Sequence, residues 1–156
     1  MKRKMKRNEL VTNDDIWNAV IDVISNYNFP SDNCTKNKLY IGFQYYSELE
    51  SGGHESLYTW FSEYIEEAGI TTYLNELISF LETIDAQPYA KIEKKYGEQA
   101  WRLYKALEAG DIEEDDFYNV IEKADHEYYN LNDKLGKLLE AYFLTIYPEL
   151  IEVIDD

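Results

Sequence analysis

The sequence of 156 residues has few cysteines, prolines, glycines and basic residues. Cys34 is the only cysteine, so the chain forms no internal disulfide and no multi-cysteine metal site, and we expect a reduced, cytoplasmic setting. Three prolines and seven glycines favour helices over a turn-rich β-sandwich. No apolar run reaches the roughly 20 residues that a membrane-spanning helix needs. A secretory signal is not expected, because residues 8–15, which follow the basic start, are polar.

The charge that the sequence does contain is mostly negative and unevenly placed. The chain has 31 acidic and 15 basic residues, a formal net charge of -16, and five of the basic residues lie within residues 2–7. We therefore expect a flexible basic tail at residues 1–11, which either stays solvated or acts as an electrostatic arm toward nucleic acid or the protein's own body. Residues 12–156 form an acidic body with 10 basic and 30 acidic residues. Such a body repels nucleic acid and anionic membranes and attracts cationic protein surfaces.

The spacing of apolar residues is helical almost throughout and predicts a single all-α domain of seven or eight helices. The 15 Tyr, 6 Phe and 3 Trp provide a large core, and we expect most tyrosines to pack in it or at its rim. Thr12 begins the first helix, which stops before Phe29, and the later helices are expected at about 38–50, 54–67, 71–84, 88–96, 98–109, 112–129 and 132–147. Gly97 is expected to divide two helices, Asp111 to cap the next with Glu114 in the capping-box position, and Pro148 to open a final turn. No strand pair is expected.

The residues that usually carry catalysis or bind metal are scarce. His54 and His126 are the only histidines, and Glu122 with His126 has no second such pair to complete a di-metal site, so both are interpreted as ordinary surface or loop residues. Cys34 has no histidine near it in sequence, and no glycine-rich phosphate-binding loop is present. We expect no metal, no cofactor and no enzymatic activity; a small carboxylate-dependent enzyme is the less favoured alternative.

The acidic residues are the best candidates for a functional surface. On a helix, side chains at i, i+3 and i+4 lie about 5–6 Å apart, a spacing similar to that of phosphates along a nucleic-acid strand. The alternative is that these acids cap helices and keep the protein soluble. The candidate partner-binding residues are Asp111, Glu113, Glu114, Asp115 and Asp116 in the densest run, and Glu63, Glu66 and Glu67 in a second group.

Three stretches of the chain resemble a known family. Residues 45–53, with the sequence YYSELESGG, precede an aromatic-rich helix and resemble the acidic-helix and Gly-Gly signature of the bacterial DNA-mimic protein family, an acidic all-helical domain of unknown function. Residues 77–86 and 124–129 resemble later helices of that family, so that the resemblance covers about residues 38–150. The chain departs from the family at His54, where an aromatic residue is usual, and at Ser51, where asparagine is frequent.

The resemblance implies an all-helical protein whose surface carboxylates imitate the DNA backbone and occupy the DNA-binding face of a transcriptional regulator. Gly52 and Gly53 would shape the chain turn without touching a partner. The leading hypothesis is therefore a non-enzymatic, cytoplasmic protein that binds the cationic surface of a DNA-binding protein. The alternative is an immunity or antitoxin protein that neutralises a basic toxin. The sequence does not determine the oligomeric state, and an exposed apolar face would indicate a homodimer.

Overall fold

Six α-helices and two short strands form the part of the chain that the computed structural model describes, residues 2–155. The elements in chain order are β1 (Arg3–Lys6), a 3-10 turn (Arg7–Glu9), α1 (Asn13–Ser25), α2 (Cys34–Ala68), α3 (Ile70–Thr83), α4 (Gln87–Glu108), α5 (Glu114–Tyr129), α6 (Lys134–Leu150) and β2 (Ile151–Ile154). The architecture is essentially all-α, but the predicted count of seven or eight helices is wrong. Met1 of the predicted tail and Asp156 of the predicted body lie outside the described residues.

The first helix begins where the sequence predicts. The side chain of Thr12 accepts a hydrogen bond from the backbone N–H of Asp15 at 3.0 Å, and the Asp15 carboxylate accepts one from the Thr12 N–H at 3.1 Å. This reciprocal capping satisfies N–H groups that have no partner within the helix. Ile16, Val20 and Ile24 are buried on the inner face of α1.

Helix α2 is broken at Gly53, where the backbone has φ 74° and ψ -163°. Its two halves, residues 34–52 and 54–68, correspond to the predicted second and third helices. A side chain at this position would be strained by the positive φ, and its Cβ would lie 2.5 Å from Oδ2 of Asp125 on α5. Glycine is therefore required both by the change of chain direction and by the close approach of α5.

Gly97 does not divide two helices, which corrects the prediction. Helix α4 is continuous from Gln87 to Glu108, and Gly97 is buried within it. A Cβ at Gly97 would lie 2.7 Å from Cδ2 of Leu74, so the glycine permits close packing of α3 against α4. The same residue type thus breaks α2 and allows α4 to approach its neighbour.

The ends of the last two helices also differ from the predictions. Helix α5 begins at Glu114 rather than 112, and the N–H of Glu113, not Asp111, takes part in capping by donating to Asp116 Oδ2 at 3.3 Å. Pro148 lies inside the last turn of α6, which continues to Leu150, and a strand follows it instead of a final helical turn.

The expectation of no strand pair is also wrong. β1 pairs in parallel with β2, with Arg3 opposite Ile151 and Lys6 opposite Ile154. Arg3 also forms an ion pair with Asp22 of α1. The basic start therefore lies against the acidic body in the structure, while the division of the chain at residue 11 stays a prediction.

In the core, α2 contacts α3, α4 and α5, while α1 packs on α6. Tyr58 of α2 donates to the carbonyl oxygen of Gly97 on α4 at 3.2 Å, and Glu66, two turns further along α2, reaches Lys105 further along α4. These two helix segments therefore run in the same direction. Four tyrosines are essentially fully buried, as expected for core residues: Tyr45, Tyr58, Tyr73 and Tyr89. Among residues 2–155, no helix combines the length and apolar character needed to cross a membrane.

Candidate partner-binding surface

The first predicted acidic group lies near the C-terminal end of α2. We call Glu63, Glu66 and Glu67 the α2 acidic face; all three are exposed. Phe61 and Ile65 point to the opposite side of the same turns and are 2% and 1% exposed. Because these apolar side chains fix the rotation of the helix, the three carboxylates are held outward on a rigid support.

The second predicted group precedes and begins α5. Asp111, Glu113, Glu114, Asp115 and Asp116, which we call the α5 acidic cluster, are all exposed. Phe117, the next residue, is fully buried and anchors the helix. Carboxylates near a helix N-terminus interact favourably with the helix dipole, so this cluster also stabilises α5. A structural role and a role in binding are compatible here, because the acidic side chains remain open to solvent.

Lys105 of α4 lies beside the α2 acidic face. It forms ion pairs with Glu66 of α2 and, at 2.9 Å, with Glu108 of α4. Lys105 donates hydrogen bonds to the carboxylates of Glu66 and Glu108, and these bonds raise the pKa of Lys105, so it remains a cation. Since the α5 acidic cluster begins three residues after Glu108, the two acidic groups lie at the same end of the layer formed by α2, α4 and α5.

Few cations of the protein compensate these acids. Within residues 2–155, Glu66 is the one predicted candidate that forms an ion pair. Residues 39–90 contain nine acidic residues and no lysine or arginine, and residues 106–122 contain seven acidic residues and again no lysine or arginine. The two segments that carry the candidate groups therefore contain no positive side chain of their own, and Lys105 of α4, which lies between them in the sequence, pairs with one of the eight candidates.

Trp60 is a feature of this surface that the sequence did not reveal. Helical spacing groups it with the apolar residues of α2, yet it is 54% exposed. It lies one turn before the α2 acidic face, and it lines both a cleft with Glu63 and Glu67 and a neighbouring cleft with Glu48 and Glu55. Exposed tryptophan is typical of residues that anchor protein interfaces.

His54 is buried in a polar network, which corrects its interpretation as a surface or loop histidine. Its side chain is fully buried, with Nε2 2.7 Å from Glu93 Oε2 on α4 and Nδ1 2.6 Å from Asp125 Oδ1 on α5. The His54 N–H donates to the same Asp125 oxygen at 2.9 Å, and Tyr45 donates to Glu93 at 2.8 Å. The network therefore ties the break in α2 to α4 and α5. His126 is exposed, in agreement with the prediction.

The charge state of His54 follows from its two carboxylate neighbours. Burial alone would lower the pKa of His54, but Glu93 and Asp125 outweigh burial and raise it to about 9. The imidazolium donates from both ring nitrogens, which leaves neither of them free to bind a metal ion. No group of three or more His, Cys, Asp or Glu side chains in the described chain is arranged to hold one. The network therefore holds three helices together.

The sequence of this chain also matches a known protein family. Residues 36–146 match the DMP19-like protein family. This match includes the α2 acidic face, the α5 acidic cluster and the buried histidine network, and it agrees with the resemblance to DNA-mimic proteins. No curated protein and no solved structure matches the chain.

Proposed function

Because the chain belongs to the DMP19-like protein family, we propose that it is a non-enzymatic, cytoplasmic protein that imitates DNA. It binds the cationic DNA-binding face of another protein and excludes DNA from that face. The observation that carries this proposal is the pair of exposed acidic groups, seven of whose eight carboxylates form no ion pair within residues 2–155. Lysine and arginine side chains that normally contact phosphates would contact these carboxylates instead.

The spacing of the carboxylates supports mimicry of a phosphate backbone. Glu63 and Glu67 lie one helical turn apart, and Glu66 lies three residues from Glu63, so their Cβ atoms are about 5–6 Å apart. The buried Phe61 and Ile65 keep this spacing constant. A partner with lysines and arginines arranged for DNA can therefore engage several carboxylates at once, with an affinity that falls as salt rises.

The two carboxylates beside His54 support a structural role better than catalysis. Glu93 and Asp125 both contact His54, whose side chain has no exposed surface. A substrate has no access to the ring, and the imidazolium already donates both of its protons. This network therefore serves to fix the helices that carry the acidic groups.

A displacement assay tests the proposal. Proteins from the native cell that bind the immobilised chain are eluted with a salt gradient, identified and purified, and each is bound to fluorescently labelled DNA. We expect the chain to release the DNA at near-stoichiometric concentration, measured as a fall in fluorescence anisotropy. Partners that bind the chain while keeping their DNA would contradict the proposal. Inhibition of a captured toxic enzyme that binds no DNA would favour the antitoxin alternative.

Two matched variants locate the surface. The acid-neutral variant carries Glu63→Gln, Glu67→Gln, Glu113→Gln and Glu114→Gln. The control variant removes the same charge from exposed positions elsewhere, with Asp14→Asn, Glu98→Gln, Glu149→Gln and Glu152→Gln. Glu66 and Asp116 are kept in both, because one pairs with Lys105 and the other accepts from the N–H of Glu113. We expect the acid-neutral variant to lose DNA displacement and the control variant to keep it.

A further inference from the structure

An aromatic cleft lies beside the α2 acidic face. Its volume is about 380 Å³, and it lies between the loop before α2, the first half of α2 and the second half of α2. We call it the aromatic cleft and define it by four rings and two carboxylates: Phe29, Tyr40, Trp60, Tyr64, Glu63 and Glu67. The cleft combines apolar surface with negative charge, so a ligand that fits it needs both an apolar part and a positive charge.

The aromatic rings form a fixed wall. Phe29 stacks on Tyr40 with ring centroids 4.5 Å apart and an interplanar angle of 11°, and its centroid lies 4.7 Å from that of Tyr64. The Tyr64 hydroxyl donates to Glu76 of α3 at 2.5 Å, which holds that ring in place. Trp60 completes the cleft and remains half exposed. The faces of such rings carry partial negative charge and attract cations.

The two carboxylates of the cleft have no cation of their own within the described chain. Glu63 and Glu67 are exposed, lie one turn apart on the same side of α2, and form no ion pair with residues 2–155. The cleft is built entirely from residues 29–67, and from residue 39 to residue 90 the chain has no lysine or arginine. An occupant that brings a positive charge therefore matches both the rings and the acids.

We infer that the aromatic cleft binds an arginine side chain of the protein partner, with the guanidinium between Glu63 and Glu67 and the aromatic rings. This inference rests on the proposed function, because it names how the partner is held. Arginine fits better than lysine, since its planar guanidinium stacks on aromatic rings and binds carboxylates with two parallel hydrogen bonds. A purely apolar side chain would leave both carboxylates beside an apolar group without a partner. DNA-binding faces are rich in arginine, so such a side chain is available where the partner binds.

A titration with a small arginine probe tests the cleft without any partner. The indole N–H signal of Trp60 is identified in nuclear magnetic resonance spectra by its loss in Trp60→Phe and is followed during addition of N-acetyl-arginine amide. We expect a saturable shift of this signal, while the signals of Trp17 and Trp101 stay in place. The citrulline analogue, which has the same shape and no charge, should bind at least about tenfold more weakly. The lysine analogue should bind more weakly than arginine.

Matched variants assign the effect to the two carboxylates. Glu63→Gln with Glu67→Gln should weaken arginine binding about tenfold, because two exposed charge pairs are removed. Glu113→Gln with Glu114→Gln changes the net charge equally but lies outside the cleft, and it should leave binding unchanged. The inference is wrong if arginine causes no saturable shift, if citrulline or lysine binds as tightly, or if both variants weaken binding equally.

The cleft and the proposed function can fail separately. If the chain displaces DNA from its partner but arginine leaves the Trp60 signal unchanged, the cleft inference is wrong and the proposed function stands. If arginine binds as expected but the chain displaces no DNA from any captured partner, the proposed function is wrong and arginine binding by the cleft stands.

Discussion

The buried histidine network makes the stability of this protein depend on pH in a direction that the structure fixes. The folded chain keeps the proton of His54 up to about pH 9, whereas the ordinary pKa of a histidine is 6.5. The folded state therefore binds more protons than the unfolded state between these two values, so stability falls as pH rises through this interval. The contribution is fully present below pH 6.5 and is lost above pH 9.

The size of the effect follows from the pKa difference. Each unit corresponds to about 1.4 kcal/mol, so a shift from 6.5 to about 9 contributes about 3 kcal/mol to the free energy of unfolding. The groups that face the ring are Glu93 from α4 and Asp125 from α5, and Tyr45 donates to Glu93. For a domain of this size about 3 kcal/mol is a large share of the total stability.

Urea unfolding at a series of pH values measures this contribution. The native chain should lose about 3 kcal/mol of unfolding free energy between about pH 6 and about pH 9.5. His54→Gln should be less stable at neutral pH and should lose less stability than the native chain between about pH 6 and about pH 9.5, because glutamine does not titrate. His126→Gln, which changes the exposed histidine, is the control and should follow the native profile. Parallel profiles for the native chain and His54→Gln would refute a buried imidazolium.

Three further substitutions test the packing. Gly53→Ala should cost about 2–3 kcal/mol, because alanine is strained at positive φ and its Cβ would meet Asp125; an unchanged urea midpoint would contradict this. Gly42→Ala should cost about 2 kcal/mol, because its Cβ would overlap the buried ring of Phe80; a more stable variant would show that the ring moves aside freely. Trp60→Ala should change stability by less than about 0.5 kcal/mol, since the side chain is 54% exposed; a large loss would indicate a role in the fold.

The helices could be predicted from the sequence because their signals are local. Thr12 and Asp15 lie three residues apart, and Ile16, Val20 and Ile24 repeat at helical spacing, so both the start and the buried face of α1 are visible in one short window. The break at Gly53 is also local, because two adjacent glycines interrupt an otherwise helical pattern. The acidic groups were predicted as exposed for the same reason, since each is a short run of charged residues.

The features that could not be predicted depend on contacts between distant segments. β1 pairs with a strand almost 150 residues later, and neither four-residue segment alternates polar and apolar residues clearly. From the sequence alone, Gly97 predicts a break between two helices. The structure shows that Gly97 instead makes room for Leu74 of α3. The partners of His54 could not be identified from the sequence, because Glu93 and Asp125 come from two other helices.

The aromatic cleft was missed for a related reason. Phe29, Tyr40 and Tyr64 come from three segments that meet only when α2 turns at Gly53. From the sequence, most tyrosines are expected in the core or at its rim, and Phe29 only marks where the first helix stops. A cleft is visible only when the exposure of Trp60 and the position of Glu63 and Glu67 are known together.

The salt dependence of partner binding tests the central claim most directly. The acid-neutral variant should bind the partner about thirtyfold more weakly than the native chain at low salt, which corresponds to about 2 kcal/mol for four exposed charge pairs. Its affinity should also fall less steeply as salt rises, because fewer charges are engaged. The control variant with the same net charge should keep the native affinity and slope. Equal losses in the two variants, or a native affinity that salt leaves unchanged, would contradict the claim that these two acidic groups take the place of DNA.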